Sequence, residues 1–185
     1  MTAVATIMEG CTPVIEWPAI VRDHGAIVWK TAYRLLGHEA DAADCFQETF
    51  VSAMDVAGRQ QVENWPGLLQ KLATSRALDQ LRRRMREARR RTSGGSWDQM
   101  EAAGEGPVQE VMDSELGDRL RAALCELTPK EAAVFCLRWL SELSYEEIAS
   151  QLGLSVGGVG VTLHRARARL QELLGSATGR EEEQR

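Results

Sequence analysis

The stretch SYEEIASQLGLSVGGVGVTL, Ser144 to Leu163, decides how the chain is read. Ser144 followed three residues later by Glu147 has capping-box spacing, in which hydroxyl and carboxylate satisfy each other's first-turn amides. The brief helix it opens ends at Leu152-Gly153-Leu154, where glycine permits a tight turn, and Ser155 caps the next helix. Ile148, Leu152, Leu154 and Val159 would pack the pair, with Ala149 small enough to let the two approach. A short helix, a turn and a second helix at this spacing predict a helix-turn-helix, whose second helix offers its outer face to a major groove. His164-Arg165-Ala166-Arg167-Ala168-Arg169 continue that helix and add cations suited to phosphate. Tight helix pairs also occur in cores that bind nothing, so the DNA reading draws on the rest of the chain.

Working upstream, Thr128-Pro129-Lys130-Glu131 repeats the capping device before a helix with Val134, Phe135, Trp139 and Leu140 on its core side. Leu116, Leu120, Ala123 and Leu124 mark the helix before it. Residues Thr92 to Gln109 carry Ser-Gly-Gly-Ser and Gly-Glu-Gly-Pro with no helical stripe, the composition of a flexible, acidic linker. Further back, Trp17, Ile20, Val21, Ile27, Val28, Ala32, Leu35 and Leu36 recur at helical spacing and stop at Gly37. A second helix is expected from about Asp41 to Ala57, with Ala42, Phe46, Phe50, Ala53 and Met54 on its apolar face. Gly58 to Pro66 is a polar loop, and a third helix runs from Pro66 to about Arg91. The fold class is all-α: two small helical domains joined by a flexible linker.

The chain has 185 residues and a net charge of -5, which at first argues against a nucleic-acid partner. The charge is not evenly spread: residues 65–91 carry nine basic and two acidic side chains, while residues 1–64 carry four and nine. A local basic segment binds phosphate whatever the total. Ordinary glycine content and the absence of any run of eighteen apolar residues exclude collagen-like and membrane-spanning classes. No secretory signal opens the chain, so a cytoplasmic location is expected. Four cysteines (11, 45, 125 and 136) without a CxxC pair read as reduced, mostly buried thiols, and the three histidines lack zinc-ligand spacing. No metal, cofactor or catalytic residue is expected, for there is no phosphate-binding glycine loop and no nucleophile motif.

Two faces carry the remaining chemistry. The arginines between Arg82 and Arg91 would repel one another without an anion nearby, and Arg76 and Trp65 add a cation and an aromatic face for an unpaired base. Asp41, Asp44, Gln47 and Glu48 would repel phosphate, which makes a protein their partner if they have one.

Together, Asp41-Ala42-Ala43-Asp44-Cys45-Phe46-Gln47-Glu48-Thr49-Phe50, Trp65-Pro66-Gly67-Leu68-Leu69 with Ala73, Arg76, Asp79 and Leu81-Arg82-Arg83-Arg84, and Ser144 to Ala149 with Leu163-His164-Arg165-Ala166-Arg167 resemble bacterial sigma factors of the extracytoplasmic-function group of the sigma-70 family. The match covers residues 15 to 175. It implies a sigma region 2 domain at 15–91 for polymerase docking and minus-ten melting, after a tail at 1–14. A linker at 92–112, a region 4 domain at 113–175 for the minus-thirty-five element, and a disordered tail at 176–185 follow. The resemblance assigns Asp41, Asp44, Gln47 and Glu48 to the clamp helices of the polymerase largest subunit. It assigns Asn64, Trp65, Ser75, Arg76, Arg82, Arg83 and Arg84 to minus-ten DNA. Gly158, Gly160, Thr162, His164, Arg165, Arg167 and Arg169 fall to minus-thirty-five DNA. The expected partners are core RNA polymerase, through clamp helices and flap, and promoter DNA. An anti-sigma protein is admitted by the resemblance, although no motif identifies one.

The chain departs from the family pattern at two places. Ser75 stands where asparagine is common, and Gly157-Gly158-Val159-Gly160-Val161-Thr162 replaces a recognition-helix start that usually carries threonine, a cation, serine and arginine. Each interior glycine costs about 1 kcal/mol relative to alanine, so these first turns are expected to fray. Upstream reading would then rest on close backbone approach and phosphate contacts from Arg165, Arg167 and Arg169. The alternatives are a helix-turn-helix regulator that works without polymerase, and a sigma-like antagonist that keeps the acidic face but starts no transcription.

Overall fold

The structure, a computed structural model, describes residues 15–91 and 115–182. The expected N-terminal tail, the linker at 92–112, Cys11 and residues 183–185 lie outside the described residues. Among the described residues seven helices follow one another: α1 (Trp17–Leu36), α2 (Glu39–Ala57), α3 (Trp65–Arg91), α4 (Glu115–Glu126), α5 (Pro129–Trp139), α6 (Tyr145–Leu152) and α7 (Val156–Glu182). The described residues contain no strand.

Their ends follow the local signals. α1 starts at Pro18 in its first turn and stops at Gly37, whose φ of 66° suits glycine and whose N–H donates to Tyr33 O at 2.8 Å. Asn64 caps α3, its Oδ1 accepting from the Gly67 amide at 2.9 Å. Both capping boxes form. In the second, the amide and hydroxyl of Ser144 hydrogen-bond to the Glu147 carboxylate and hold its pKa below the ordinary value. Two expectations are corrected. α7 does not stop near Leu174 but continues to Glu182, so residues 176–182 are helical and not a disordered tail. Its glycine-rich start is regular helix: Ser155 Oγ accepts from the Gly158 amide at 3.0 Å, and Thr162 Oγ1 donates to Gly158 O at 2.7 Å.

Ile20, Val28, Phe50, Ala53, Leu69 and Ala73 fill the space among α1, α2 and α3. Val134, Leu137, Ile148, Ala149, Val159 and Leu163 do the same for α5, α6 and α7. A third cluster joins the two halves, with Leu35, Leu36, Cys45, Leu78 and Leu81 of the first against Leu124, Leu127, Cys136, Leu140 and Leu170 of the second. The predicted domains are therefore both present and pack on each other along an apolar seam. Arg121 ties it: Nε donates to Leu35 O at 3.1 Å and Nη1 to Asp118 at 2.9 Å, while Nη2 lies 3.5 Å from Arg34 O. Arg34 returns the contact to Leu140 O at 2.8 Å, and Lys71 reaches Gln151 O at 2.7 Å. A Cβ at Gly37 would stand 2.6 Å from the Arg121 guanidinium, so glycine there serves close approach as well as turn geometry.

Four side chains that periodicity placed on apolar stripes are instead exposed: Val21 (37%), Met54 (46%), Leu116 (47%) and Trp139 (47%). Cys45 and Cys136 are buried, as expected, and both are free thiols. Burial raises the Cys45 thiol to about 11 and the Cys136 thiol to about 12, the latter against an opposing pull from the charge of Arg82.

Arg121→Ala removes the donors that satisfy buried α1 carbonyls and should lower unfolding free energy in urea by about 1–3 kcal/mol. Arg83→Ala, at an exposed helical ion pair, should change it by less than about 0.5 kcal/mol. The folded chain keeps thiol protons that the unfolded chain releases above the ordinary value of 9.0, so stability should fall as pH rises from there through the folded values. At about pH 8 both buried thiols should resist alkylation until urea unfolds the chain, as read by mass spectrometry.

Candidate nucleic-acid interface

α2 turns Asp44, Gln47 and Glu48 to solvent. At 100° per residue, Val51, Met54 and Asp55 extend the same face, and Val51 is 60% exposed. Periodicity had placed Met54 in the core and passed over Val51; an apolar side chain that faces a partner gives the same pattern as one that faces a core. Asp41 departs from the other three acidic-face residues. It is half-buried and ion-paired with Arg84 Nη1 at 2.6 Å, which also reaches Leu36 O at 3.3 Å. Two residues assigned to different partners thus hold α2, α3 and the end of α1 together.

The described arginines of α3 are disposed differently. Arg84 is bound to α2. Arg82 turns toward the second half, with its side chain only 19% exposed, a 3.6 Å contact to Asp79, and Nη2 enclosed without a hydrogen-bond partner among the described residues. Arg83, Arg86 and Arg90 remain exposed and, with Ser75, line the solvent side of the helix. Arg83 pairs with Glu87 at 3.0 Å, too exposed to hold it firmly. Arg86 and Arg90 were noted in the sequence only as part of a charge run; the wheel of α3 places them beside Arg83. Arg76 lies at the edge of this stripe, where Nε and Nη2 both donate to Ser52 Oγ on α2, at 3.1 and 2.8 Å.

At the head of α3, Asn64 is committed to capping and Trp65 is half-buried, its ring edge-on to Trp17 at 5.3 Å between centroids. Trp65 therefore offers part of one face. Gly67 lies close to α6, since a Cβ there would fall 2.8 Å from Gln151 Nε2.

α6, the turn at Gly153 and α7 form the expected helix-turn-helix, with Gly153 at φ 63°. The outer side of α7 presents Gly157, Val161, His164, Arg165 and Ala168. Two assignments to this surface are corrected. Thr162 is buried, with its hydroxyl spent on Gly158 O. Arg167 leaves the outer stripe to lie 5.7 Å over the Trp139 ring. Gly158 and Gly160 are partly covered, and Arg169 is exposed and pairs with Glu172 at 3.0 Å. On the far side, Leu120, Phe135, Trp139, Leu170 and Leu174 line a shallow apolar groove beside Arg167. No group of His, Cys, Asp and Glu among the described residues is arranged to hold a metal, and no described helix is long and apolar enough to cross a membrane.

The family model described as Sigma-70 region 2 matches residues 20–87, and that described as Sigma-70, region 4 matches residues 117–170. The chain is 37% identical over 159 residues to the ECF RNA polymerase sigma factor SigE of Mycolicibacterium smegmatis, covering 86% of this chain and 62% of that protein's length. It is 33% identical over 172 residues to the RNA polymerase sigma-E factor of Streptomyces avermitilis, covering 88% and 87%. Its fold resembles that of the sigma factor RpoE of Bartonella quintana, solved with the anti-sigma factor NepR, at a TM-score of 0.53, 24% identity, and coverage of 86% and 97%.

Replacing Arg83 and Arg86 with alanine should reduce the slope of log affinity against log salt for a single-stranded oligonucleotide by about 1.4, at about 0.7 per cation. Fluorescence anisotropy reads this, and an unchanged slope would remove DNA from the α3 stripe. Gly160→Lys fits the fold, because a Cβ there meets Tyr145 at an ordinary 3.7 Å, and should tighten binding to upstream duplex DNA. Loss of that binding would instead favour close backbone approach through the glycines.

Proposed function

The chain belongs to the extracytoplasmic-function group of the bacterial sigma-70 family, and from that premise we propose that it is a cytoplasmic, non-catalytic initiation subunit that brings core RNA polymerase to particular promoters and stabilises the melted minus-ten region. The observation that carries this reading is the outer face of α2. Asp44, Gln47 and Glu48 flank the exposed Val51 and Met54, a mixture that repels phosphate yet leaves apolar area for a protein. A regulator acting on duplex DNA alone has no use for such a face beside a cationic stripe.

In this reading α2 docks on the polymerase clamp helices. Ser75, Arg83, Arg86 and Arg90 follow the opened strand, Arg76 flanks them, and the exposed part of Trp65 stacks on a base. The helix-turn-helix enters the upstream duplex, and the groove around Trp139 takes an apolar element of the polymerase flap. An anti-sigma protein would compete for either apolar surface.

The seam between the halves must then open. The minus-ten and minus-thirty-five elements are named for positions about 25 base pairs apart, roughly 85 Å of duplex at 3.4 Å per pair. A packed chain of this length spans only about 40 Å. Opening would expose Arg82 and free its unpaired Nη2 for a phosphate.

Run-off transcription with purified core enzyme over a promoter pool tests the function: promoter-specific transcripts are expected, and their absence overturns it. Glu48→Lys should lower transcript yield at least ten-fold, about 1.4 kcal/mol of docking energy, without changing oligonucleotide affinity. Fluorophores on the two halves should lose energy transfer when polymerase and promoter are added.

A further inference from the structure

We propose that Val161 is the base-reading residue of the helix-turn-helix, and that it reads a thymine in the upstream duplex through the C5-methyl group. The proposal rests on the reading that this half enters duplex DNA and adds what it recognises there.

α7 buries Val159, Thr162, Leu163, Ala166 and Leu170. At 100° per residue the opposite side passes through Gly157, Val161 and His164, and in a helix-turn-helix the N-terminal residues of that side meet base edges. Across its first two turns this surface offers no hydrogen-bonding side chain. Gly157 and Gly160 have none, and the one hydroxyl, on Thr162, faces inward and donates to Gly158 O at 2.7 Å. The side chain that does project is branched and apolar: Val161 is 54% exposed, with Val156 at 43% beside the N-cap.

Duplex DNA is the occupant that fits. His164 and Arg165 are exposed on the following turn and supply the charge complementarity that seats a helix on phosphates. An apolar peptide would gain nothing from that border of cations. Within a major groove the base-pair edges are donors and acceptors with one apolar exception, the thymine methyl. A valine without donor or acceptor gains only there, by removing methyl surface from water. Against the polar edge of a guanine or cytosine it would displace water and return no hydrogen bond, which disfavours those pairs. Gly157 supports this geometry, because no atom lies within 4 Å of where its Cβ would be and the backbone can come close to the groove floor.

The test uses the whole chain assembled with core polymerase. Holoenzyme selects from a promoter library with a randomised upstream hexamer, which should yield at least one fixed thymine. That thymine is then replaced by deoxyuridine, which lacks only the methyl. The replacement should weaken upstream binding about five-fold for the natural chain, the worth of one buried methyl. It should change nothing for Val161→Ala, which starts from the weakened level. Val161→Asn should shift the selected base toward adenine at the same position. Equal deoxyuridine losses in the natural chain and Val161→Ala, or no loss in either, would overturn the assignment to Val161. A library with no upstream preference, yet with intact initiation from the minus-ten region, would overturn the upstream reading on which it rests and leave the sigma function standing.

Discussion

The closed arrangement of the chain depends on what happens at the C-terminal end of α1. A helix leaves its last carbonyls without intrahelical donors, and at this end they are buried where water cannot satisfy them. Arg121 lies against Leu35 O and Arg34 O from a helix 86 residues away, and its cation also meets the negative end of the α1 dipole. Arg34, one turn back, donates to the last carbonyl of the α5 region at Leu140. Each half thus closes the other's frayed end, and the apolar seam of Leu36, Leu78, Leu124 and Leu140 gains area only because those carbonyls have donors.

The seam is less complete than the two cores it joins. Arg34 Nε, Arg82 Nη2 and Gln151 Oε1 are enclosed near it without hydrogen-bond partners among the described residues, each at a desolvation cost of about 1–3 kcal/mol. The helix-turn-helix core of Val134, Leu137, Ile148 and Val159 is built from apolar side chains throughout. An interface with unmet polar groups is stable enough to form and poor enough to exchange for a partner that meets them. The arginines of α3 differ in the same way: Arg84 is locked to Asp41, Arg82 is held and under-satisfied, and Arg83, Arg86 and Arg90 are exposed, Arg83 in a solvent-facing pair with Glu87.

Local features were legible in the sequence because they are set by residues three or four apart. Both capping boxes, the stop at Gly37 and the turn at Gly153 formed as read. The seam was not legible, since side-chain bonds to backbone carbonyls across 80 to 106 residues leave no periodic trace. The site was legible by residue type and less so by direction. Asp44, Gln47 and Glu48 face outward as expected, whereas Asp41 and Arg84 neutralise each other, because a charge pattern does not say which charges find one another. Thr162 turned inward for a similar reason: next to Gly158, a hydroxyl four residues on has a carbonyl within reach, and that local bond wins over exposure. Met54 and Trp139 are exposed although their spacing is that of a core, because periodicity gives an apolar side chain's face and not what covers it.

Neither half presents an extended cationic surface among the described residues. The first carries a short cationic stripe beside an acidic face, and the second a glycine-rich helix start whose outer residues include few donors. Weak modules become specific when tethered, because the second binding event occurs at the effective concentration set by the tether and adds to the first. Packed against each other, the halves cannot both reach their sites, so the closed chain forgoes that gain. On a scaffold that holds α2 and the Trp139 groove apart, both contacts count together. Weak upstream reading is then consistent with function, for the discrimination needed from Val161 is only the increment that a docked polymerase leaves undecided.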